Sequence, residues 1–422
     1  MIILTYYWPP SGGSGVQRWV YFAKHLKAKG WTPIVITVDE NQAAYPQTDK
    51  TLAALVDGIR TVKTATREPL KWYARLFPRA TAQGLPQGEV SRAGLWAKLA
   101  AFIRGNFFIP DARKGWVPYA VNAAQSILEK EDIHALITTG PPHSTHLAGY
   151  RLKKKYPQLQ WWVDFRDPWT TVFYNALFYR TPWAKALDKK LESRVINHCS
   201  GAITTIEGTL TNTLKQQRPY LPIAVLANGY DANLMASIDA HKPKDVFHIV
   251  YTGLLTQQQD YTALLEAING CSTQRPIRFS LAGQIAPIIL QEIKHALPDV
   301  EVIHLGYLPQ EDAIWLMKSA HLLVNFVFKG AEKAMISGKL LSYLATTVPV
   351  LSFGDPQSAA AKLMEKSTHA CMFTSGETQQ ATAFIQQLLA QEEVVNIFPE
   401  VEHWSRANIT QALIDQVLTK RV

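Results

Sequence analysis

The sequence predicts an α/β protein of two domains, each built on a parallel sheet wrapped by helices. Short apolar runs alternate with amphipathic stretches almost from end to end. A polar interruption at 239–245 is followed by a fresh start of the same pattern. The length, 422 residues, exceeds what one ordinary hydrophobic core encloses. A composition of 47% hydrophobic and 18% charged residues belongs to a globular chain and excludes disorder over most of it.

Taken in order, the first β-α-β unit comprises a strand at 1–6, a helix at 16–29 that stops at Gly30, and a strand at 32–38. The stretch 41–115, rich in proline, arginine and aromatics, reads as a helical and loop insertion. Regularity returns with helices at 117–129, 144–156, 183–198 and 209–218, separated by strands at 135–139, 160–164, 202–205 and 224–226. The second half reads as strands at 248–252, 278–282, 300–304, 322–325 and 350–353. Its helices fall at 262–269, 286–297, 309–319, 338–345 and 358–366. The domains are thus expected at 1–238 and 246–400, with 401–422 ending in a helix that packs back on the first. Both are expected to be Rossmann-like and to face a cleft.

Three cysteines, Cys199, Cys271 and Cys371, lack the spacing of a zinc site or disulfide framework and suit a reducing compartment. No apolar run approaches the roughly 18 residues of a membrane span. Residues 1–7 run into Trp8-Pro9-Pro10 without a basic leader, as a strand does rather than a signal peptide. The expected location is the cytoplasm. Lys and Arg exceed Asp and Glu by 43 to 34, a formal +9 that suits phosphate-bearing ligands or an anionic surface. The basic runs at 151–155 and 185–194 read as solvated helix faces, and no nucleic-acid module surrounds them.

Four loops carry candidate chemistry. The turn Pro10-Ser-Gly-Gly-Ser-Gly-Val16 follows the first strand, and Gly12, Gly13 and Ser14 would bring backbone N–H groups to a polar ligand. Gly13-x-Gly15 with Asp39 suggests a dinucleotide site, but Arg18 occupies the third glycine position and a bulky loop replaces the tight turn. At 138–146, His143 stands where open α/β sheets bind ligands; the alternative is that Ser144 or Thr145 caps a helix beside an exposed histidine. Asp164, Arg166 and Asp167 follow another strand and suit sugar hydroxyls or an acceptor, or else form an ion pair closing the turn before Pro168. In the second half, Ser337, Gly338 and Lys339 would set N–H groups and an ammonium against a diphosphate, unless they form a surface lysine and a helix cap.

Together these loops resemble the glycosyltransferases of the two-Rossmann GT-B fold, in particular the family 4 and family 1 group of bacterial surface polysaccharide assembly. The likeness rests on Tyr6-Tyr-Trp-Pro-Pro-Ser-Gly-Gly13, Ile109-Pro-Asp-Ala-Arg113, Gly140-Pro-Pro-His-Ser144, Asp164-Phe-Arg-Asp-Pro-Trp169, Asn228-Gly-Tyr-Asp231, Tyr251-Thr-Gly253, Leu305-Gly-Tyr-Leu308 and Ser337-Gly-Lys339 with Pro349. It implies a nucleotide-sugar donor held by the second domain through Gly253, Glu332, Ser337, Gly338, Lys339 and Ser342, with Gly12 and Gly13 at the cleft. It also implies an acceptor, a glycan or polyprenyl-linked sugar, on the side of Ser14 and Asn228, with Asp164, Arg166, Asp167 and His143 in the catalytic set. Transfer would retain the anomeric configuration and need no metal or other cofactor, and the aromatic and basic stretch 72–113 would touch an anionic membrane. The chain departs from the family where two glutamates are usual, at Ala334 and Ser342, and where an Arg and a Lys usually follow the Tyr-Thr-Gly strand. Those departures make a non-catalytic subunit the alternative, ahead of a nucleotide-sugar epimerase.

Overall fold

The computed structural model describes residues 1–43, 45, 48–67, 95–172, 175, 178–272, 275–328 and 336–419. Two compact units emerge: Met1–Ala227 joined by the chain from Ile409 onward, and Asn228–Asn408. The division precedes the polar segment at 239–245, whose neighbours belong wholly to the second unit. There Lys318 Nζ donates to the Met235 carbonyl (3.1 Å), and Arg275 donates to the carbonyls of Pro243 (3.2 Å) and Val246 (3.0 Å).

The first unit holds a parallel sheet in the order β3-β2-β1-β4-β5-β6-β7. Its strands are β1 (Ile2–Leu4), β2 (Ile34–Val38), β3 (Arg60–Thr64), β4 (Ala135–Gly140), β5 (Gln160–Phe165), β6 (Gly201–Thr204) and β7 (Ile223–Val225). The helices are α1 (Ser14–Ala28), α2 (Thr51–Ala54), α3 (Leu95–Phe107), α4 (Val117–Leu128), α5 (Ser144–Lys155), α6 (Pro182–His198) and α7 (Thr209–Gln217). Central strands are apolar on both faces because helices cover both, so β1, β2 and β4 are buried at every position. β3 corrects the expectation of a continuous insertion at 41–115: it pairs with β2 over its whole length. Its residues Arg-Thr-Val-Lys-Thr are all exposed or half-buried, as an edge strand tolerates, so no apolar run marks it.

The second unit repeats the plan with the order β10-β9-β8-β11-β12-β13. These are β8 (Phe247–Thr252), β9 (Ile277–Ala282), β10 (Glu301–Gly306), β11 (Leu322–Phe326), β12 (Val350–Phe353) and β13 (Ala370–Phe373). Its described helices are α8 (Ala232–Ser237), α9 (Thr262–Asn269), α10 (Pro287–Ala296), α11 (Gln310–Lys318), α12 (Gly338–Leu344), α13 (Ala359–Met364) and α14 (Thr378–Leu389), while α15 (Arg406–Leu413) begins in this unit and belongs to the first from Ile409 onward. Each unit has its own apolar core. The C-terminal segment meets the first unit through His134 Nε2 at the Leu418 carbonyl (2.6 Å) and Lys29 Nζ at Gln411 Oε1 (2.9 Å).

In both sheets the strand order reverses beside the first strand of the unit. β1 lies between β2 and β4, and β8 between β9 and β11. Loops leaving the carboxyl ends of β1 and β4 therefore diverge to opposite faces, as do those of β8 and β11. Each divergence opens a crevice of the kind in which parallel α/β sheets take ligands.

Candidate functional site

Asp164, at the carboxyl end of β5, is fully buried, and its oxygens are occupied. Arg18 donates to it through Nε (3.3 Å) and Nη2 (3.0 Å), Trp19 through Nε1 (2.6 Å) and Thr139 through its hydroxyl (2.8 Å). The reading of Asp164 as a catalytic or acceptor-binding carboxylate is corrected: it fastens α1 to the sheet. Arg18 also reaches the Ala227 carbonyl (2.8 Å) and so ties down the last residue before the second unit. The residue that breaks the dinucleotide fingerprint is thus the counter-ion of this anchor, and Asp39 accepts from Asn41 (3.0 Å) in a local turn.

Arg166 turns back onto β4. Its backbone N–H and its Nε both donate to the Gly140 carbonyl (3.2 Å each), and Nη2 donates to the Pro141 carbonyl. A Cβ on Gly15 would lie 1.7 Å from Arg166 Nη1, so only glycine lets this guanidinium rest against the first turn of α1. Asp167 beside it is half-buried, and its carboxylate makes no hydrogen bond among the described residues. Burial raises its pKa, and the Arg166 charge opposes the rise.

His143 is 8% exposed; neither ring nitrogen makes a hydrogen bond of good geometry, and only the backbone of Pro168 favours its protonated form. The ring stacks on Trp169 at 5.1 Å and 5°, which fixes its plane. His146, one turn of α5 further on, meets Thr138 Oγ1 through Nδ1 (3.0 Å) and leaves Nε2 without a partner. Both rings border Gly140, where a Cβ would stand 2.5 Å from His146 Nε2 and 3.0 Å from His143 Nδ1. Burial and the neighbouring His146 hold the His143 pKa well below its usual value. Burial and Arg166 bring that of His146 to about 3. Both are neutral imidazoles at physiological pH, able to accept or donate one hydrogen bond per free nitrogen. Tyr6 Oη and Ser11 Oγ, on the loop after β1, are buried and equally unpartnered. Native interiors satisfy nearly all such groups, so this collection at one sheet edge is the first unit's candidate place for a polar ligand.

The supports of these groups come from elsewhere in the chain. Asp111, not Ser144 or Thr145, caps α5: its carboxylate accepts from the Ser144 N–H and hydroxyl, both at 2.7 Å. Trp169 Nε1 donates to Asp188 (2.8 Å) and the Thr170 hydroxyl to Glu192 (2.7 Å), so buried acids of α6 hang the loop that carries Asp167. Gly13, with φ 98°, ends the loop before Ser14 opens α1, and Gly12 precedes it half-buried.

In the second unit, Lys339 of α12 lies across the carboxyl end of β8. Its Nζ donates to Tyr251 Oη (2.7 Å) and stands 3.9 Å from the centre of that ring. Gly253, at φ 121°, passes directly beneath, and a Cβ there would lie 3.0 Å from Nζ. No carboxylate faces the amine among the described residues, and burial alone brings its pKa down to about 7. Tyr251 is held in turn by Gln259 Nε2 (3.2 Å) and by donating to the Leu254 carbonyl (2.5 Å). Gln259 also reaches the Phe326 carbonyl (3.4 Å), so a buried amide organises the loop after β8.

Ser337 makes no cap; its hydroxyl donates to Asn325 Oδ1 (2.9 Å) and tethers the start of α12 to β11. Ser342 is half-buried. Asn228, expected on the acceptor side, belongs to the second unit, where its Nδ2 lies 3.8 Å from the position a Gly338 Cβ would take. Glu332 and Ala334 lie outside the described residues. Sequence reasoning missed Arg18, Trp19 and Gln259 as fasteners. The one signal was the arginine itself, a long cation where the fingerprint demands glycine.

Two α/β units with parallel sheets, each with its crevice beside the first strand, define the class: the chain has the fold of GT-B glycosyltransferases. No protein-family model and no curated protein matches the sequence. Among solved structures, it is similar to HepE of Anabaena in complex with UDP and glucose, at 14% identity and a TM-score of 0.55 over 99% of this chain and 95% of that one. It is also similar to the lipopolysaccharide outer core galactosyltransferase WaaB, at 10% identity and 0.59 over 100% and 99%. The N-terminal domain of Candida albicans trehalose-6-phosphate phosphatase, at 10% identity, reaches 0.62 over 100% and 97%. At these identities the likeness is one of fold, and one fold hosts many reactions.

Proposed function

We propose that this chain is a glycosyltransferase that moves a sugar from a nucleotide-sugar donor to a glycan or lipid-linked acceptor in surface polysaccharide assembly. The observation that carries the proposal is Lys339: a depressed ammonium with no acidic partner among the described residues, resting on Tyr251 at the carboxyl end of β8. A cation in a half-buried setting without a counter-ion suits a diphosphate, which would raise its pKa and replace the missing charge partner. Gly253 supports the same reading, since a side chain there would crowd the amine. The neighbour HepE is described with UDP and glucose and with UDP-glucose, which favours a uridine nucleotide among the donors to try first.

In the first unit, His143 and Asp167 offer free polar atoms for sugar or acceptor hydroxyls, and neutral His143 can take or give a proton at a free ring nitrogen. In this scheme Lys339 supplies the positive charge that a leaving diphosphate requires, so no metal is invoked; retention of the anomeric configuration is proposed from the family likeness alone, with the departing phosphate receiving the acceptor proton. Titration with UDP, GDP and dTDP followed by calorimetry tests the donor half, and nucleotide release from the matching sugar donors tests transfer. Absence of binding by every nucleotide, with Lys339→Met indistinguishable from the parent, would remove the proposal.

A further inference from the structure

We infer that the outer edge of β10 pairs with the β10 edge of a second copy of this chain, joining two six-stranded sheets into one across a two-fold axis. The inference does not rest on the reaction assigned above. β10 is the last strand of its sheet and, among the described strands, pairs on one side only, with β9. None of its residues is buried, whereas β8 and β9 beside it are buried at all but one position each. An edge strand presents a row of backbone N–H and C=O groups to whatever can pair with them, and native proteins blunt such rows with charge, proline, shortness or cover.

The other described sheet edges carry those devices. β3 exposes Arg60 and Lys63, which pair with Glu131 (2.7 Å) and Glu40 (2.6 Å). β7 has only three residues and follows Pro222. β13 is flanked by 395–397, where the Thr368 N–H donates to the Ile397 carbonyl (3.0 Å) and the His369 N–H to Asn396 Oδ1 (2.8 Å). β10 runs regularly along β9 from Glu301 to His304, and its register slips only between His304 and Gly306. Leu305 at the slip is 41% exposed and Tyr307 just beyond it 53%.

A second copy is the occupant that the chemistry of the strand selects. Glu-Val-Ile-His-Leu-Gly holds one acid and no lysine or arginine, and Glu301 is already engaged by Arg278 Nε of β9 (2.6 Å). Little charge is left to draw a charged partner, and the apolar run between is complementary to itself. Two-fold symmetry makes identical edges meet antiparallel. With the axis at Ile303, that residue faces its own copy, Val302 faces His304 and Glu301 faces Leu305 of the other chain. The two acids then stand four residues apart along the pairing, about 14 Å, beyond effective repulsion at physiological salt.

The test is sedimentation velocity of the full chain, with hydrogen exchange read by mass spectrometry. A contact of this kind belongs at the lower end of specific interfaces, about 1,200 Å² in total, so a dimer that dissociates at about 10 µM is expected. It should survive high salt, since no ion pair crosses it. Outward-facing amides of 301–306 should gain protection as concentration rises. Ile303→Lys and Ile303→Glu each set like charges on the axis and should weaken the dimer at least about tenfold, whereas an equal mixture of the two should pair again. Trp315→Lys, at an exposed position on α11, is the control and should leave the dimer unchanged. Where an Ile303 variant fails to fold, the exchange pattern of the parent chain decides. A chain that stays monomeric to about 100 µM would overturn the inference. So would a dimer that leaves the β10 amides unprotected, loss of the dimer in Trp315→Lys, or folded Ile303 variants that stay apart when mixed.

Discussion

Asp164, at the end of β5 in the first unit, and Lys339, at the start of α12 across the carboxyl end of β8 in the second, both stand near the carboxyl edge of their own sheet, and they are treated in opposite ways. The carboxylate of Asp164 has every oxygen taken by Arg18, Trp19 and Thr139. The amine of Lys339 has one phenol and an aromatic face, and burial depresses its pKa to about 7. A charge that is fully paired inside the protein serves the protein; one left short of partners is positioned for something else. Sequence spacing marked both residues equally, and only their partners separate them.

The largest effect should come from Asp164→Ala. It strands the Arg18 guanidinium in a site that is 1% exposed, and loss of one member of a buried pair costs about 3–5 kcal/mol. Chemical denaturation should show that loss, with activity failing only through the loss of folded protein. If Asp164→Ala folds with parental stability and is inactive, the structural assignment is wrong.

Lys339→Met should do the reverse. Stability is expected to hold or rise, while affinity for a nucleoside diphosphate drops by about tenfold to a hundredfold, the value of a charge-assisted contact. The pH dependence sharpens this. Nucleotide affinity should decline as pH rises through about 7, where the amine loses its proton, and Lys339→Arg should move the decline far upward. For stability the sign is opposite: the unfolded chain binds the extra proton between about 7 and the ordinary lysine value. Removing Lys339 should therefore abolish a gain in stability on raising pH over that window.

His143→Phe tests the imidazoles. The stack on Trp169 can survive, so stability should change by about 1 kcal/mol or less, while turnover falls on the order of a hundredfold. His146 should show itself in acid. Its folded pKa of about 3 lies below the ordinary histidine value, so stability it contributes at neutral pH is lost as pH falls between the two, and His146→Gln should flatten that slope. The smallest effect on turnover is expected at Gly13→Ala, where no atom lies within 4 Å of the added methyl, although φ 98° with ψ 162° is a conformation that essentially only glycine adopts and should cost about 1–3 kcal/mol of stability. Gly15→Ala should exceed it because Arg166 must move.

Much of the fold was legible because burial on both faces of a parallel sheet writes uninterrupted apolar runs, as in Ile-Val-Ile-Thr-Val of β2. β3 escaped because an edge strand needs only a neighbour's hydrogen bonds, and its polar residues carry no periodic signal. Within the site, His143 and Asp167 remain open to a ligand, and Asp164 does not. Asn228 was expected on the acceptor side through the family likeness, whereas the chain has already crossed into the second unit at that residue.

Most of the succession of strands and helices, though neither β3 nor β13, the loops that leave strand ends, and the residue types those loops carry were legible in the sequence itself, since periodicity and glycine placement are local properties. Which charges are paired was decided only by tertiary structure. Arg18 and Asp164 are 146 positions apart, and so are many pairs that never meet. Pairing, burial and hence pKa depend on what the folded chain brings within a few ångströms, and no local spacing records that distance. The same reason hid the buried acids of α6: Asp188 and Glu192 look like the neighbours of the lysines along the helix, and only the packed helix shows them turned inward.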